Sequence, residues 1–317
     1  MAAAAPIVEL RQATKTFGDQ DAVTALSMAI APGQVFGLIG PSGSGKTTTI
    51  RLLVGVLKPT SGEVFVMGKD PLQLAVDERA RIGYMPQSFE LYPSSTVHEN
   101  LSFVAGLYGL GWWARRRPLR RALEFVELWD VRNRLAGRLS GGMKRRLQLA
   151  AALVHDPQLI FVDEPTAGLD PLLRAKIWDF LHELRDRGKT IFVTTQLIEE
   201  TQRCDNVAVM AHSRLVALGS PQALRRKALG GEMVDIQSGP LAPATLSHLR
   251  ELPQVKAVRW NDDGGLRVVV EDAATATPAI TESLQHDGEV VEAVRPVVPS
   301  FDEVFRHIVG ADRDGNG

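Results

Sequence analysis

Residues 34–49, QVFGLIGPSGSGKTTT, limit what this chain can fold into more than any other stretch. An apolar run, Val35 to Ile39, ends in Gly40-Pro41-Ser42-Gly43-Ser44-Gly45-Lys46-Thr47, and Thr48 to Leu53 then takes a helical pattern. Four residues separate Gly40 from the Gly45-Lys46-Thr47 triplet. That is the spacing of a phosphate-cradling loop between a strand and a helix. Glycines let backbone N–H groups approach an anion with no Cβ in the way. The helix start adds unpaired N–H groups and a partial positive charge. Lys46 can then reach the β and γ phosphates, and the Thr47 hydroxyl can ligate Mg²⁺. We read the loop as a nucleoside-triphosphate site.

At 317 residues, the chain suits one large domain and one small one. Its net charge of −1 gives no basic field for nucleic acid. A single cysteine, Cys204, excludes an internal disulfide and fits a reducing compartment; we expect it to be a small buried hydrophobe on a helix. No apolar run is long enough to span a bilayer, and the start, MAAAAPIVEL, does not have the pattern of a secretion signal.

The apolar alternation predicts strands at 7–14 and 24–31, with Phe17 in the connection, either as core or as a platform for a base. The first helix is expected to run to about Leu57, with strands at 63–67 and 82–85 after it. Residues 96–134 read as helical and interrupt the α/β alternation, which predicts an inserted helical subdomain over about 88–155. The run Arg115-Arg-Arg-Pro-Leu-Arg-Arg121 in that insert is a solvated face or a surface for anionic lipid head groups. Ser140 precedes Gly141-Gly142 and caps a helix placed at 144–155, so N–H groups are exposed at a second helix start. Leu159 to Val162 reads as a buried parallel strand ending in Asp163-Glu164. Two carboxylates at such a strand end are costly unless they meet a cation, and ligands of open α/β sheets gather at that edge. Beyond a boundary at 229/230 the order is strand, helix, two strands, helix, strand, a ferredoxin-like α+β sandwich over 230–310. It carries no catalytic cluster and is expected to serve regulation or dimer contact. A final helix at 301–309 and a disordered tail at 311–317 complete the expectation.

In order, these segments resemble the ATP-binding subunit of ATP-binding cassette (ABC) transporters over roughly residues 7–228. Walker A falls on Gly40–Thr47, the Q-loop glutamine on Gln87, and the signature on Leu139-Ser-Gly-Gly-Met143. Walker B is similar to Leu159–Asp163, followed by Glu164, and the D-loop to Gly168-Leu-Asp170. The aromatic A-loop position falls on Phe17. The resemblance implies a P-loop NTPase fold of ABC type, a mixed sheet core carrying the helical insert. It also implies ATP and Mg²⁺ as cofactors, with Phe17, Gly40 to Thr48 and Ser140 to Gly142 around the nucleotide. Thr47, Gln87 and Asp163 would hold the metal; Glu164, Gln87, Asp170 and Gln196 would serve catalysis. Two positions depart from the family pattern: Met143 where Gln is usual, and Gln196 where His is usual. A Gln amide can bridge a phosphate and a carbonyl but cannot hold a proton near neutrality, so competent but slow hydrolysis is expected.

The C-terminal portion, ending in Pro-Ser-Phe-Asp-Glu-Val-Phe305, resembles the daunorubicin-type drug-resistance exporter group. This implies a separately encoded polytopic permease, a second ATP-binding subunit stacked head to tail, and a peripheral place on the cytoplasmic face of the plasma membrane. The alternative is a soluble ABC ATPase or a low-turnover nucleotide-dependent regulator; one cassette, no heptad insert and no basic balance disfavour ribosome- or DNA-acting members.

Overall fold

A computed structural model describes residues 5–239, 241–260 and 265–314, the last four without their side chains. The chain divides into two compact units, 1–219 and 220–317. The division falls before the helix at 221–229, whereas the sequence pattern had suggested the Leu229-Gly-Gly231 turn after it.

The first unit opens with an antiparallel sheet, order β2-β1-β4, from β1 (Val8–Phe17), β2 (Gln20–Ile30) and β4 (Ser61–Val66). Both leading strands run longer than their alternation suggests, so Phe17 lies on β1 opposite Gln20 and not in a loop. Register shifts between Leu10 and Thr16 break the two-residue period there, which is why it fades from the sequence.

The central sheet has the order β5-β6-β7-β3-β8-β9. Its strands are β3 (Val35–Ile39), β5 (Ile82–Met85), β6 (Leu159–Asp163), β7 (Thr190–Thr195), β8 (Asn206–Ala211) and β9 (Arg214–Gly219). Pairing is parallel except for β8 with β9. Every residue of β3, β6 and β7 is buried, as continuous apolar strands of a covered parallel sheet must be. Helix α1 (Lys46–Leu53) follows β3 and stops short of the expected Leu57, because Gly55 turns left-handed at φ 74°. Phe36, Leu38, Ile50, Phe161 and Phe192 form one core with Val8, Leu26 and Val66 of the antiparallel sheet.

Between β4 and β5 lies a short helix, α2 (Val76–Arg79). The helical insert holds α3 (Val97–Leu107), α4 (Arg116–Phe125) and α5 (Gly141–Leu153). Thr96 caps α3 by accepting from the Glu99 N–H, while Glu99 accepts from the Thr96 N–H. The run of arginines lies at the start of α4, with Arg115 donating to Ser102 O and Arg116 stacked over the exposed Trp113. Helix α6 (Pro171–Asp186) joins β6 to β7. Cys204 follows a 3₁₀ turn instead of sitting within a helix; it is buried under β3, so close to Gly37 that an added Cβ would meet its Sγ at 2.7 Å.

The second unit comprises α7 (Pro221–Leu229), β10 (Glu232–Ser238), α8 (Pro243–Glu251), β11 (Val255–Trp260), β12 (Leu266–Val270), α9 (Ala273–His286), β13 (Val291–Val297) and α10 (Phe301–Asp314). Its antiparallel sheet has the order β11-β12-β10-β13, which is the split β-α-β arrangement that the strand and helix order predicts. Val234, Ile236, Leu266 and Val268 pack on Leu249 of α8 and Ile280 and Leu284 of α9. Helix α10 continues past Val309 to Asp314, so 311–314 carry helical backbone where a disordered tail was expected; no proline stops it. Residues 315–317 of the expected tail, and 261–264 between β11 and β12, lie outside the described residues. Among the described residues no helix is long and apolar enough to cross a membrane.

Candidate functional site

The loop from Gly40 to Thr47 sits at the C-terminal end of β3, beside the ends of β6 and β7 in the same parallel sheet. Gly45 caps α1 with φ 102°, and a Cβ there would meet Ala22 O at 2.2 Å. Only glycine tolerates both that dihedral and that approach of β2. Lys46 is 4% exposed and donates to Gly40 O at 2.8 Å and Pro41 O at 2.9 Å. Its Nζ lies 3.8 Å from Glu164 Oε1. Burial lowers the Lys46 pKa, and the negative charges of Glu164 and Asp163 oppose that shift.

Asp163 and Glu164 are both buried. Asp163 Oδ1 accepts from the hydroxyls of Thr194 and, at 3.4 Å, Thr47, whereas its Oδ2 is buried with no partner among the described residues. Ser44 Oγ, inside the loop, is likewise buried without a partner. A divalent cation fits this set: an alcohol and an uncommitted carboxylate oxygen are hard ligands of the kind Mg²⁺ prefers. Among the described residues no group of three His, Cys, Asp or Glu could hold a metal unaided.

Glu164 adopts φ 48°, unusual for any residue but glycine, and its N–H donates to Thr194 O and Thr194 Oγ1, both at 3.1 Å. Its Oε2 accepts from Gln87 Nε2 at 2.8 Å, which brings the end of β5 to the end of β6. Gln196, after β7, accepts from Ser42 Oγ at 2.9 Å. A small pocket of about 70 Å³ opens beside Glu164 and Gln196. The fold thus gathers Gly40 to Thr48, Gln87, Asp163, Glu164 and Gln196 at one sheet edge.

The remaining expected residues make other contacts. Ser140 Oγ accepts from Met143 N at 3.3 Å, so α5 begins at Gly141 and not at Lys144. Gly142 lies against α6, where a Cβ would meet Leu173 Cδ1 at 2.5 Å. Asp170 caps α6, accepting from Leu172 N at 3.0 Å and Leu173 N at 3.1 Å. Phe17 is 50% exposed, which removes the core alternative, and the Lys15 ammonium lies 5.1 Å from its ring centre.

Comparison with known proteins gives the family. The profile of the ABC transporter family matches residues 23–167. The chain is 42% identical over 240 residues to the Nod factor export ATP-binding protein I of Burkholderia lata, spanning 75% of this chain and 78% of that protein. The chain belongs to the ABC transporter ATP-binding proteins. It is also 37% identical over 229 residues to the probable multidrug ABC transporter ATP-binding protein YbhF of Escherichia coli K12. That match spans 72% of this chain but only 40% of YbhF. The C-terminal domain of DrrA1-3-like ATP-binding proteins matches residues 219–309. Among solved structures, an ATP binding subunit of an ABC transporter superposes with TM-score 0.63 at 26% identity, covering 70% of this chain and 92% of that one. A dimeric bacterial ABC transporter cassette does so with TM-score 0.62 at 30% identity, covering 67% and 98%.

In this ABC chain two groups escape a motif-based search. Thr194 bonds both Asp163 and the Glu164 backbone, yet it is one threonine in a buried strand. Arg145, in the first half of α5, donates to Gln87 O and Pro86 O, and Gln148 on the same helix donates to Pro86 O and Ser88 O. The signature helix thereby holds the backbone around Gln87. Burial lowers the Arg145 pKa against the pull of Glu164 and Asp163.

Proposed function

We propose that this protein is the ATP-hydrolysing subunit of an ABC exporter whose membrane-spanning half is a separate polypeptide and whose cargo is a drug, lipid or other hydrophobic compound. One observation carries the reading: buried Asp163, with an uncommitted oxygen, and buried Glu164 meet the Lys46 ammonium at one sheet edge.

In this reading the ATP phosphates lie in the loop from Gly40 to Thr48, taking the Lys46 ammonium and the N–H groups at the start of α1. Phe17 stacks on the base. Thr47, Asp163 and Gln87 would hold Mg²⁺, which when bound would supply neutralisation of phosphate charge. Glu164 orients the attacking water and accepts its proton; the water oxygen bonds to the γ-phosphorus as the β–γ bridging bond breaks, leaving ADP and phosphate. Gln196 holds the γ-phosphate in place of the usual His, which makes turnover slow.

A second cassette completes the site. The N–H groups at the start of α5, from Ser140 to Gly142, would grip the phosphate of a partner copy, with Asp170 beside that seam. Closing the seam excludes water, and loss of the γ-phosphate loosens it. A groove of about 240 Å³ lined by Tyr84, Tyr92, Phe103, Leu107, Tyr108 and Gln148 supports docking of a permease coupling helix near residues 88–100. The chain would then be held at the cytoplasmic face of the plasma membrane by that permease.

The test is ATPase activity of the protein co-purified with its membrane partner from detergent. Glu164→Gln is expected to lower turnover by about 10²-fold or more while still trapping ATP in a dimer. Lys46→Ala is expected to lose ATP binding itself. Equal turnover by the wild type and Glu164→Gln would overturn the proposal.

A further inference from the structure

A cavity of about 730 Å³ opens in the C-terminal unit, between α7, the start of β10, the first turn of α9 and the end of β13. Its size is that of a small-molecule pocket. Leu229, Met233, Ala273 and Val297 give it apolar walls. Along α7 it also carries Arg225, Arg226 and Lys227, against the single acid Glu232.

That acid is already committed. Glu232 Oε1 pairs with Arg226 at 3.3 Å, and its Oε2 accepts from Ala273 N at 2.9 Å. Arg225 is left without an acid. Among the described residues its Nε and Nη2 are buried with no acceptor, and its guanidinium carbon lies over the Phe301 ring, 5.7 Å from the ring centre. Burial lowers its pKa, with no negative charge to offset the shift. A guanidinium with two of its nitrogens withdrawn from water and no counter-charge is destabilising, and a Met or Leu on this helix would fill the same space at lower cost. The fold itself therefore gives no reason for a cation at 225. A missing anion does.

We propose that this cavity binds an anionic amphiphile, with a carboxylate, phosphate or sulfonate head against Arg225 and its apolar body on the walls formed by Leu229, Met233 and Val297. The cavity complements such a ligand with a cationic rim whose acid is already used, an apolar floor, and a volume that admits a drug- or acyl-sized body. Its residues all belong to the C-terminal unit, so the proposal stands or falls separately from the nucleotide site.

Anilinonaphthalene sulfonate, a rigid anionic amphiphile, serves as the probe in a fluorescence titration of the full chain. Dodecanoate, dodecyl phosphate, dodecyltrimethylammonium and inorganic phosphate then compete below their micelle concentrations. One probe per chain is expected, displaced by both dodecyl anions but not by the ammonium amphiphile or by inorganic phosphate. Arg225→Gln should weaken the probe tenfold or more without lowering the melting temperature, since it removes an unpaired charge. Arg225→Lys should retain most of the affinity, and Val297→Trp, which fills the cavity, should abolish it. Unchanged binding in folded Arg225→Gln would overturn the proposal. So would equal displacement by the ammonium amphiphile, or displacement by inorganic phosphate alone, which would mean a simple anion site.

Discussion

Glu164 occupies a left-handed backbone conformation that a side chain normally avoids, and the groups that hold it there belong to Thr194. The Thr194 hydroxyl also donates to Asp163, so one residue positions both carboxylates. Thr194→Val keeps the shape and the backbone acceptor but removes that hydroxyl. ATP turnover is expected to drop about tenfold with little change in ATP affinity, and the chain to lose about 1–3 kcal/mol in urea unfolding. His155 gives a pH signature. Its Nε2 lies 3.0 Å from Ile82 O, so that nitrogen carries the proton; Nδ1 is buried without a partner, and the ring stacks on Tyr108. Burial holds its pKa below the ordinary 6.5. The unfolded chain therefore takes up a proton first as pH falls. The stabilisation is full above about pH 6.5 and is lost as pH drops towards the folded pKa. The urea midpoint should fall between pH 7.5 and 5.5, and His155→Phe should flatten that slope.

At the scale of elements, α5 both offers its N-terminus and grips the backbone around Gln87. Ser140→Ala is expected to cost about 1 kcal/mol of stability through the lost cap, read by urea unfolding. Arg145→Ala removes the donor to Gln87 O and Pro86 O. Under the proposed function, permease-stimulated turnover should fall several-fold while ATP binding by the isolated chain stays near wild type. The contrast between these residues shows what a sequence can carry. Gly40 to Thr47, Ser140 to Gly142 and Asp163-Glu164 are legible because backbone approach and charge at strand and helix ends demand particular residue types in a row. Thr194 and Arg145 are not, since their partners lie 31 and 58 residues away and only packing brings them together. The start of α5 was misplaced for a related reason. Two glycines look like a break, yet here α6 approaches so closely that Gly142 has no room for a Cβ.

For the molecule as a whole, strand and helix order sufficed to anticipate the C-terminal sheet, because each apolar run there keeps its period. The reach of α10 was not anticipated. Arg267 on β12 pairs with Asp235 of β10 at 2.6 Å and with Glu303 of α10 at 3.3 Å, tying the last helix to the sheet through one guanidinium. Arg267→Ala is expected to raise hydrogen exchange across 301–314 while leaving the first unit's exchange unaltered. Cys204 has a different use. As the sole thiol of the sequence, buried under β3 with its pKa pushed upward by desolvation, it is expected to resist maleimides and thiosulfonates. The native chain is thus a silent background for spectroscopy. Reporters on cysteines introduced at exposed Asp19 and at Gly141, where a Cβ meets nothing, could measure the gap between two copies with no native cysteine removed.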